Sequence, residues 1–387
     1  MKDREDFIDL TQSNVTRVGL PCSCPPEHLQ AVLGEALHQG YDPQPLGALD
    51  ARRSIVAYYA RRGLINMAEP RIILTASTSE AYVYAFRLLA DPGEAVLVPT
   101  PSYPLFSFLA EAAGVSIASY RLRFDGTRWC VAMDDLRDAL ASAAAPRVRA
   151  ILLVTPNNPT GSLLSREERS EIYRLACAHK IAIVSDEVFL DFCHDPTARF
   201  ADHTCALAPV PLALTLSGLS KVAGLPQAKL AWMVASGDET AVEEAMARLE
   251  IMGDTFLSVS SSIQAAAPMI LDHVDAWQST LRRRIDRNWA TLLTITAASR
   301  NVRARPMAGG WHAIVSLRTQ LDDEAWARKL LADAHILVHP GYLFDIEAMP
   351  VAVLSLILPE ETFEAAIARL VRHADAGAGP SEGSPQA

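Results

Sequence analysis

Apolar runs of strand length alternate with amphipathic segments between about residues 45 and 235. The clearest apolar runs are AVLVP (95–99), RAILLVTP (149–156), IAIVSDE (181–187), LALTLSG (212–218) and KLAWMVA (229–235). Helical patterns lie between several of them, at residues 136–143, 166–179 and 240–251. Nearly continuous apolar strands that are separated by helices predict an α/β fold, with a mostly parallel sheet covered by helices on both faces.

The pattern changes after about residue 275, which suggests a second, smaller α/β domain. A long helix with a polar face is predicted from residue 276 and is followed by short strands and helices. The last residues, AGAGPSEGSPQA, have no apolar face, so we expect a disordered tail. The predicted parts are an N-terminal segment (1–44) that completes the small domain and covers the active site, a large domain (45–275), the small domain (276–375) and the tail (376–387).

Composition excludes several classes of protein. The net charge of −10 argues against a nucleic-acid partner. The apolar runs are too short to span a membrane, and the first residues, MKDREDFIDL, lack the apolar core of a signal peptide. The six cysteines are scattered without a CxxC pair, so neither a metal site nor a disulfide framework is predicted. We therefore expect a cytoplasmic protein without metal, nucleic-acid or membrane partners.

Polar side chains follow three of the predicted strands. Asn158 comes after the strand at 149–156, Asp186 ends the strand at 181–187, and Lys221 comes shortly after LALTLSG. Each residue alone has an ordinary explanation, as a turn, a helix cap or a surface lysine. Carboxyl ends of parallel strands share one edge of the sheet, so together they would bring an amide, a carboxylate and an amine into one crevice. A desolvated amine there suits covalent catalysis on a carbonyl.

A candidate anion site precedes the next helix. The strand RIIL (71–74) is followed by Thr75-Ala76-Ser77-Thr78-Ser79, and a helix is predicted from about Glu80. Free N–H groups and hydroxyls at a helix start bind anions, although simple capping explains the same residues equally well. Lys229, eight residues after Lys221, is placed to close this site from the other side.

Six motifs occur in the order and spacing of a known family. They are YDPQPLGALDARRSIVAYYARRG, PTPSYPLF, NNPTG, SDEVF, SKVAGLP and HPGYLF. Over about residues 8–375 the chain resembles the fold-type I pyridoxal 5′-phosphate enzymes, specifically the class I/II aminotransferases of the alanine/aspartate aminotransferase-like group. The resemblance implies a seven-stranded-type sheet in a large cofactor-binding domain. It also implies a homodimer that moves an amino group from an amino acid or related amine to a 2-oxo acid or other carbonyl acceptor.

The resemblance implies a role for each motif residue. Lys221 would hold the cofactor as a Schiff base and then move the substrate proton. Asp186 would pair with the ring nitrogen, Asn158 would donate to the 3′ oxygen of the ring, and Tyr103 would stack on the ring face. The implied phosphate contacts are Ser77, Thr78, Ser79, Ser220, Lys229 and, across a subunit interface, Tyr41.

Three positions depart from the family pattern near the cofactor. Lys229 stands where most relatives have arginine, so a point charge replaces a bidentate fork. Gly218 stands where relatives have serine, which leaves Ser217 or Ser220 as the phosphate contact. Phe189 replaces a tyrosine that donates to the 3′ oxygen in many relatives. We therefore predict that the Schiff base of Lys221 titrates at a higher pH than in those relatives.

A fourth departure concerns the substrate. Relatives that act on α-amino acids usually read the carboxylate with an arginine in a strand near the chain's end. Here that strand is VAVLSLIL, with Val353 in the arginine's place, and no arginine lies between Arg328 and Arg369. Either the substrate lacks a carboxylate at this point, or Arg17, His312 or His339 reads it instead. The candidate substrate contacts are Arg17, Gly19 and Trp311. The missing arginine also keeps open a pyridoxal-phosphate-dependent lyase, decarboxylase or oxidase of specialised biosynthesis.

Overall fold

Helices alternate with strands along most of the chain, as the apolar and amphipathic runs predict. A computed structural model describes residues 6–38, 40–142, 146–195, 199–346 and 349–376. Residues 377–387 of the predicted tail lie outside the described residues. The α-helices are α1 (Pro26–Ala36), α2 (Leu49–Arg61), α3 (Thr78–Leu89), α4 (Phe106–Ala113), α5 (Met133–Ala141), α6 (Arg166–His179), α7 (Phe200–His203), α8 (Leu219–Val222), α9 (Glu239–Phe256), α10 (Ser261–Asp272), α11 (Val274–Ala298), α12 (Asp323–Ala334) and α13 (Glu360–Ala376).

The strands form one large sheet, one small sheet and one short pair. They are β1 (Ile8–Asp9), β2 (Ile72–Thr75), β3 (Ala95–Thr100), β4 (Ser116–Phe124), β5 (Trp129–Val131), β6 (Val148–Val154), β7 (Ala182–Asp186), β8 (Leu212–Gly218), β9 (Ala231–Gly237), β10 (Val302–Ala304), β11 (His312–Leu317), β12 (Ile336–Leu337), β13 (His339–Pro340) and β14 (Val351–Ser355).

The large sheet has the strand order β2-β9-β8-β7-β6-β3-β4-β5. The run from β8 to β4 is parallel, whereas β9 is antiparallel to both β2 and β8. The central strands β6, β7 and β8 are buried almost throughout, because a parallel sheet is covered on both faces. The predicted fold class, a mostly parallel sheet between helices with a smaller α/β part, is confirmed.

The eighth strand, β5, extends the sheet beyond the predicted seven-stranded type. It pairs antiparallel with β4 through a tight turn at Asp125, whose Oδ1 accepts the N–H groups of Thr127 and Arg128, both at 2.8 Å. Glu168 of α6 then accepts the N–H of Val131 at 2.8 Å. This carboxylate also completes a capping box with Ser165, so one side chain starts α6 and fixes β5.

The small sheet has the order β10-β11-β14-β13 and is antiparallel throughout. Helices α11, α12 and α13 pack with it in one apolar cluster, which includes Leu281, Leu330 and Phe363. The N-terminal strand β1 pairs with β12 beside this sheet. That pairing agrees with an N-terminal segment that completes the small domain, although the domain boundaries themselves stay a prediction.

Two apolar clusters connect the small sheet to the large one. Val353 and Ile314 share a cluster with Leu122 and Trp129 of the β4–β5 hairpin. A second cluster joins Trp311 to the loop after β7 and to the N-terminal segment. The cleft between the sheets therefore has apolar walls on the small-sheet side. Among the described residues, no helix combines the length and the hydropathy that crossing a membrane requires.

Candidate active site

The carboxyl ends of three neighbouring parallel strands bring polar side chains to one edge of the large sheet. Val154 of β6 pairs with Asp186 at the end of β7, and Asp186 pairs with Leu216 of β8. Lys221 follows on the short helix α8 directly after β8, and Asn158 lies in the loop after β6. This is the edge at which open α/β sheets bind their ligands.

The amine of Lys221 lies among aromatic rings near one carboxylate. Its Nζ is 4.8 Å from the centroid of the Trp311 ring and 5.5 Å from that of Phe189. Burial lowers the pKa of this amine to about 8, and the charge of Asp186 opposes the shift. An amine with this pKa populates both protonation states close to neutral pH, so it can attack a carbonyl carbon and also exchange a proton.

Asp186 is buried, and two hydrogen bonds hold its carboxylate. Oδ2 accepts a bond of 2.7 Å from the hydroxyl of Tyr82, and Oδ1 accepts one of 3.1 Å from the N–H of Val188. Burial raises the pKa of Asp186, while these two bonds and the charge of Lys221 lower it. A buried carboxylate with these donors is suited to pair with a protonated heterocyclic nitrogen.

Tyr82 is a site residue that the family motifs do not identify. It lies on α3 with 2% of its surface exposed, and its hydroxyl reaches Asp186 from a point 104 positions earlier in the chain. The signal in the sequence is weak. It is a tyrosine on the apolar face of a helix, where a buried hydroxyl needs a partner.

The loop after β6 fixes Asn157 and leaves Asn158 with an unused amide oxygen. Oδ1 of Asn157 accepts the hydroxyl of Thr160 at 2.8 Å. Oδ1 of Asn158 is buried and has no hydrogen-bond partner within the described ranges. Buried amides rarely stay unpaired, so Asn158 is a natural contact for a bound ligand.

Tyr103 presents an aromatic ring to the same crevice. It is 36% exposed and packs edge-on against Phe106, with the ring centroids 6.0 Å apart. Burial and then the charge of Asp186 raise the pKa of the Tyr103 hydroxyl, which places this side chain within the field of that carboxylate. A partly open ring beside Asp186 can stack on a planar ligand.

Helix α3 starts at Thr78, slightly before the predicted start near Glu80. The Ser77 hydroxyl caps the helix by accepting the N–H of Glu80 at 3.1 Å, and Glu80 accepts the N–H of Ala76 at 2.6 Å. The N–H groups of Thr78 and Ser79 have no carbonyl one turn earlier to bond. Free N–H groups of this kind are able to bind an anion, whereas the Ser77 hydroxyl is already engaged as a cap, so the phosphate contact at this helix start stays a prediction.

The other two predicted phosphate contacts differ in their exposure. Ser220 is half-buried on α8 next to Lys221, whereas Ser217 is buried within β8. Lys229 is exposed and has a positive φ of 53° after the turn Pro226–Ala228. Ser220 is therefore the more accessible of the two serines, and the role of Lys229 stays a prediction.

The small sheet brings a neutral imidazole close to Lys221. The His312 ring lies 6.0 Å from that of Phe189 and keeps part of its surface accessible. Burial, then the charges of Lys221 and His339, lower the pKa of His312 to about 3, so its imidazole is uncharged at neutral pH. Its strand partner Ser355 has a buried hydroxyl that lacks a hydrogen-bond partner in the described part of the chain.

Val353 fills the position at which relatives carry the carboxylate-binding arginine. It is fully buried in β14, between Ile314 of β11 and His339 of β13. Burial lowers the pKa of His339, and Asp9 opposes the shift. This part of the small sheet thus offers an apolar side chain and two imidazoles.

The three predicted substrate contacts lie in different surroundings. Trp311 is fully buried, with its ring beside Lys221 and its Nε1 without a partner among the described residues. Arg17 and Gly19 are exposed, on a segment whose Val15 and Val18 share the apolar cluster of Trp311. The segment therefore packs in the apolar cluster that contains Trp311, and the Arg17 side chain is exposed. Tyr41, the implied contact across subunits, is 85% exposed.

Comparison with known proteins agrees with this geometry. The family model for aminotransferase class I and II matches residues 22–370. Glutamate-pyruvate aminotransferase AlaA of Escherichia coli K12 is 31% identical over 233 residues, which are 59% of this chain and 54% of that protein. The match thus spans about half the length of this relative.

One further relative and one solved structure match more of the chain. Probable N-succinyldiaminopimelate aminotransferase DapC of Mycobacterium tuberculosis (strain CDC 1551 / Oshkosh) is 31% identical over 288 residues, 70% of this chain and 67% of that protein. The solved structure of an alanine aminotransferase from Pyrococcus furiosus has a TM-score of 0.85 at 22% identity and covers 96% of this chain and 93% of that one, which shows the same fold. As the sequence motifs predict, this chain belongs to the class I and II aminotransferase family, whose members depend on pyridoxal 5′-phosphate.

Proposed function

We propose that this protein is a pyridoxal-phosphate-dependent aminotransferase that transfers an amino group from an amine donor to a carbonyl acceptor such as a 2-oxo acid. The observation that carries the proposal is the Lys221 amine, which lies half-buried at the end of β8, beside the ring of Trp311 and within the field of Asp186. The names of the relatives, all aminotransferases, support the same reaction type.

The residues present fit the cofactor. Asp186 offers a buried carboxylate to its ring nitrogen, and the side-chain amide of Asn158, in the loop after β6, has N–H groups that can donate to its ring oxygen. Tyr103 offers a partly open ring face. The phosphate would bind at the start of α3, where Thr78 and Ser79 offer backbone and side-chain donors, and Ser77, Ser220 and Lys229 are the further proposed contacts.

The chain's own residues then divide the work. The bound cofactor supplies an electrophilic carbon and an electron-withdrawing ring. Lys221 would hold the cofactor through its amine and, once the donor's amine takes that place, would move a proton from the donor's Cα to the cofactor side. Asp186 holds the positive charge at the ring nitrogen in place. Trp311 and Phe189 exclude water around the amine, which keeps its pKa low.

We further propose a homodimer. The described surface carries large apolar side chains with high exposure: Leu37 at 75%, Tyr41 at 85%, Phe108 at 65%, Ile251 at 70% and Phe256 at 59%. Exposed apolar side chains that lie together in one patch mark a subunit interface. A second copy would cover them and bring its Tyr41 to the phosphate end of the site. The proposed domains remain 1–44, 45–275 and 276–375, and the proposed location is the cytoplasm.

We also propose that the amino donor carries no carboxylate beside its amine. Among the described residues, the charges that shift the pKa values of Lys221, His312 and His339 come from Asp186, from Asp9 and from Lys221 and His339 themselves. Val353 supplies no cation, and His312 on the neighbouring strand β11 is neutral. A primary amine or an amino alcohol suits this pocket better than an α-amino acid does.

Two measurements test the reaction type. Borohydride reduction of the loaded protein, followed by peptide mass mapping, should attach the cofactor to the peptide of Lys221 and to no peptide of Lys221→Arg. Incubation with donor alone should then yield one equivalent of carbonyl product per subunit and stop. A lyase, decarboxylase or oxidase would continue for many turnovers without an acceptor. An unmodified Lys221 peptide in the loaded protein refutes the proposal.

A further inference from the structure

Tyr82 connects three elements of the site. Its hydroxyl donates to Oδ2 of Asp186 at 2.7 Å, across the boundary between α3 and β7. Its ring packs edge-on against Phe106, with the centroids 5.4 Å apart, and Phe106 packs in the same way against Tyr103 at 6.0 Å. One side chain thus touches the carboxylate directly and the exposed Tyr103 ring through a single intermediate.

The Asp186 carboxylate needs such a donor because it is buried. Besides burial, three groups act on its charge, and all three favour it: Tyr82 from α3, the Val188 N–H from the following loop and Lys221 from α8. Two of the three favourable groups are fixed by the fold. Lys221 is different, because it exchanges its proton and its covalent partner during the proposed reaction. Tyr82 therefore supplies the side-chain support for the carboxylate that remains when Lys221 changes state.

We infer that Tyr82 is a positioning residue, which keeps Asp186 ionised and correctly oriented towards the ring nitrogen of the cofactor. The inference rests on the proposed function, since Tyr82 acts only through Asp186, whose pairing with the cofactor is part of that proposal. Tyr82 does not touch the reacting atoms itself. Burial, and then the charge of Asp186, raise the pKa of the Tyr82 hydroxyl well above the ordinary tyrosine value. The hydroxyl therefore stays protonated and remains a donor across the working pH range.

Tyr82→Phe isolates the hydrogen bond. The phenylalanine ring keeps the packing on Phe106, while the donor to Asp186 is lost. A hydrogen bond to a charged group corresponds to roughly a ten- to hundredfold effect on binding, so pyridoxal phosphate should dissociate about that much more readily. The loss of cofactor affinity in Tyr82→Phe should be largest at low pH and should shrink as pH rises, because Asp186 without its donor takes up a proton more readily.

Tyr120→Phe is the matched control. Tyr120 is equally buried and donates a bond of 2.8 Å to the carbonyl of Leu152, away from Asp186. The Tyr120→Phe variant should bind the cofactor with an affinity within about twofold of that of the unaltered protein. If Tyr120→Phe weakens binding as much and with the same pH dependence, the effect belongs to buried tyrosines in general, and the inference fails.

A double-mutant cycle with Asp186→Asn shows whether Tyr82 acts through Asp186. Cofactor affinity is measured by fluorescence titration in the unaltered protein, both single variants and the double variant. Tyr82→Phe should have less than about a twofold effect when Asp186 is already asparagine. An equal loss in both backgrounds overturns the inference. Failure of the unaltered protein to bind pyridoxal phosphate would instead overturn the proposed function, so the two failures are distinguishable.

Discussion

The Nζ atom of Lys221 lies 4.8 Å from the centre of the Trp311 ring, which is itself fully buried. The aromatic face attracts an ammonium group, but the apolar surroundings remove the water that would stabilise the charge. Burial prevails and lowers the pKa of Lys221 to about 8. The site therefore holds an amine that is reactive near neutral pH while remaining beside a carboxylate that can stabilise its charge.

Competitive acetylation of the cofactor-free protein measures this shift. Below about pH 8 the acetylation rate of Lys221 should rise about tenfold per pH unit, and above that pH it should level off. In urea the same peptide should behave as an ordinary lysine, with a pKa of about 10.4. A folded-state rate that still climbs steeply from pH 8 to pH 10 contradicts the burial argument.

Phe189→Tyr should lower the pH at which the visible absorption of the loaded protein changes. The Phe189 ring lies 5.5 Å from Nζ of Lys221, so a tyrosine hydroxyl here would restore the donor that the family usually has near the cofactor's ring oxygen. One added hydrogen bond predicts a downward shift of about one pH unit. Phe124→Tyr, at a half-buried position at the end of β4, should leave the titration unchanged. An unchanged or raised midpoint in Phe189→Tyr rules out this explanation.

Glu187 should make the protein less stable as pH rises towards 8. Its carboxyl group accepts bonds from the hydroxyls of Thr204 (2.6 Å) and Ser185 (2.9 Å) and from the N–H of Cys205 (2.7 Å). Burial outweighs these bonds and raises the pKa of Glu187 to about 7. A raised carboxyl pKa stabilises the folded state fully below the unfolded value of about 4.3, and this contribution is lost as pH rises through 7.

The comparison with Glu187→Gln measures this contribution. Between pH 5 and pH 8 the free energy of unfolding of the unaltered protein should fall by roughly 2–3 kcal/mol relative to the variant, at about 1.4 kcal/mol per pKa unit. Glu111→Gln, at an exposed position on α4, provides the control and should follow the unaltered protein. Parallel urea-unfolding curves for the unaltered protein and Glu187→Gln at all pH values would show that Glu187 ionises normally.

The sequence predicts the centre of the large sheet well because local and long-range signals agree there. The runs that form β6, β7 and β8 are mostly apolar, and their ends coincide with family motifs, so Asn158, Asp186 and Lys221 follow strands at one edge of the sheet as expected. The start of α3 is also predicted to within about two residues, since Ser77 is a strong helix cap.

Other features depend on contacts that no local pattern encodes. Strand β5 is three residues long and depends on the Asp125 turn and on Glu168, which lies 37 residues after Val131. Tyr82 becomes a site residue only because α3 packs beside β7. Trp311 has two interpretations in the sequence, pocket wall and buried core, and in the structure it is buried at the edge of the site.

The proposed donor class predicts that amino alcohols react better than the matching amino acids. His312, which lies close enough to Lys221 for their charges to interact, is neutral, and the predicted arginine position holds the buried Val353, so a substrate carboxylate would lose its hydration without gaining a cation there. The single-turnover kcat/KM should therefore be at least about tenfold higher for alaninol than for alanine, and for phenylalaninol than for phenylalanine. Arg17→Ala should leave the rates with both amino alcohols unchanged, because the Arg17 side chain is exposed to solvent. The proposal fails if the amino acids react faster than the matching amino alcohols and Arg17→Ala abolishes that preference. Such a result would mean that the N-terminal segment closes over the site and that Arg17 binds the carboxylate in place of residue 353.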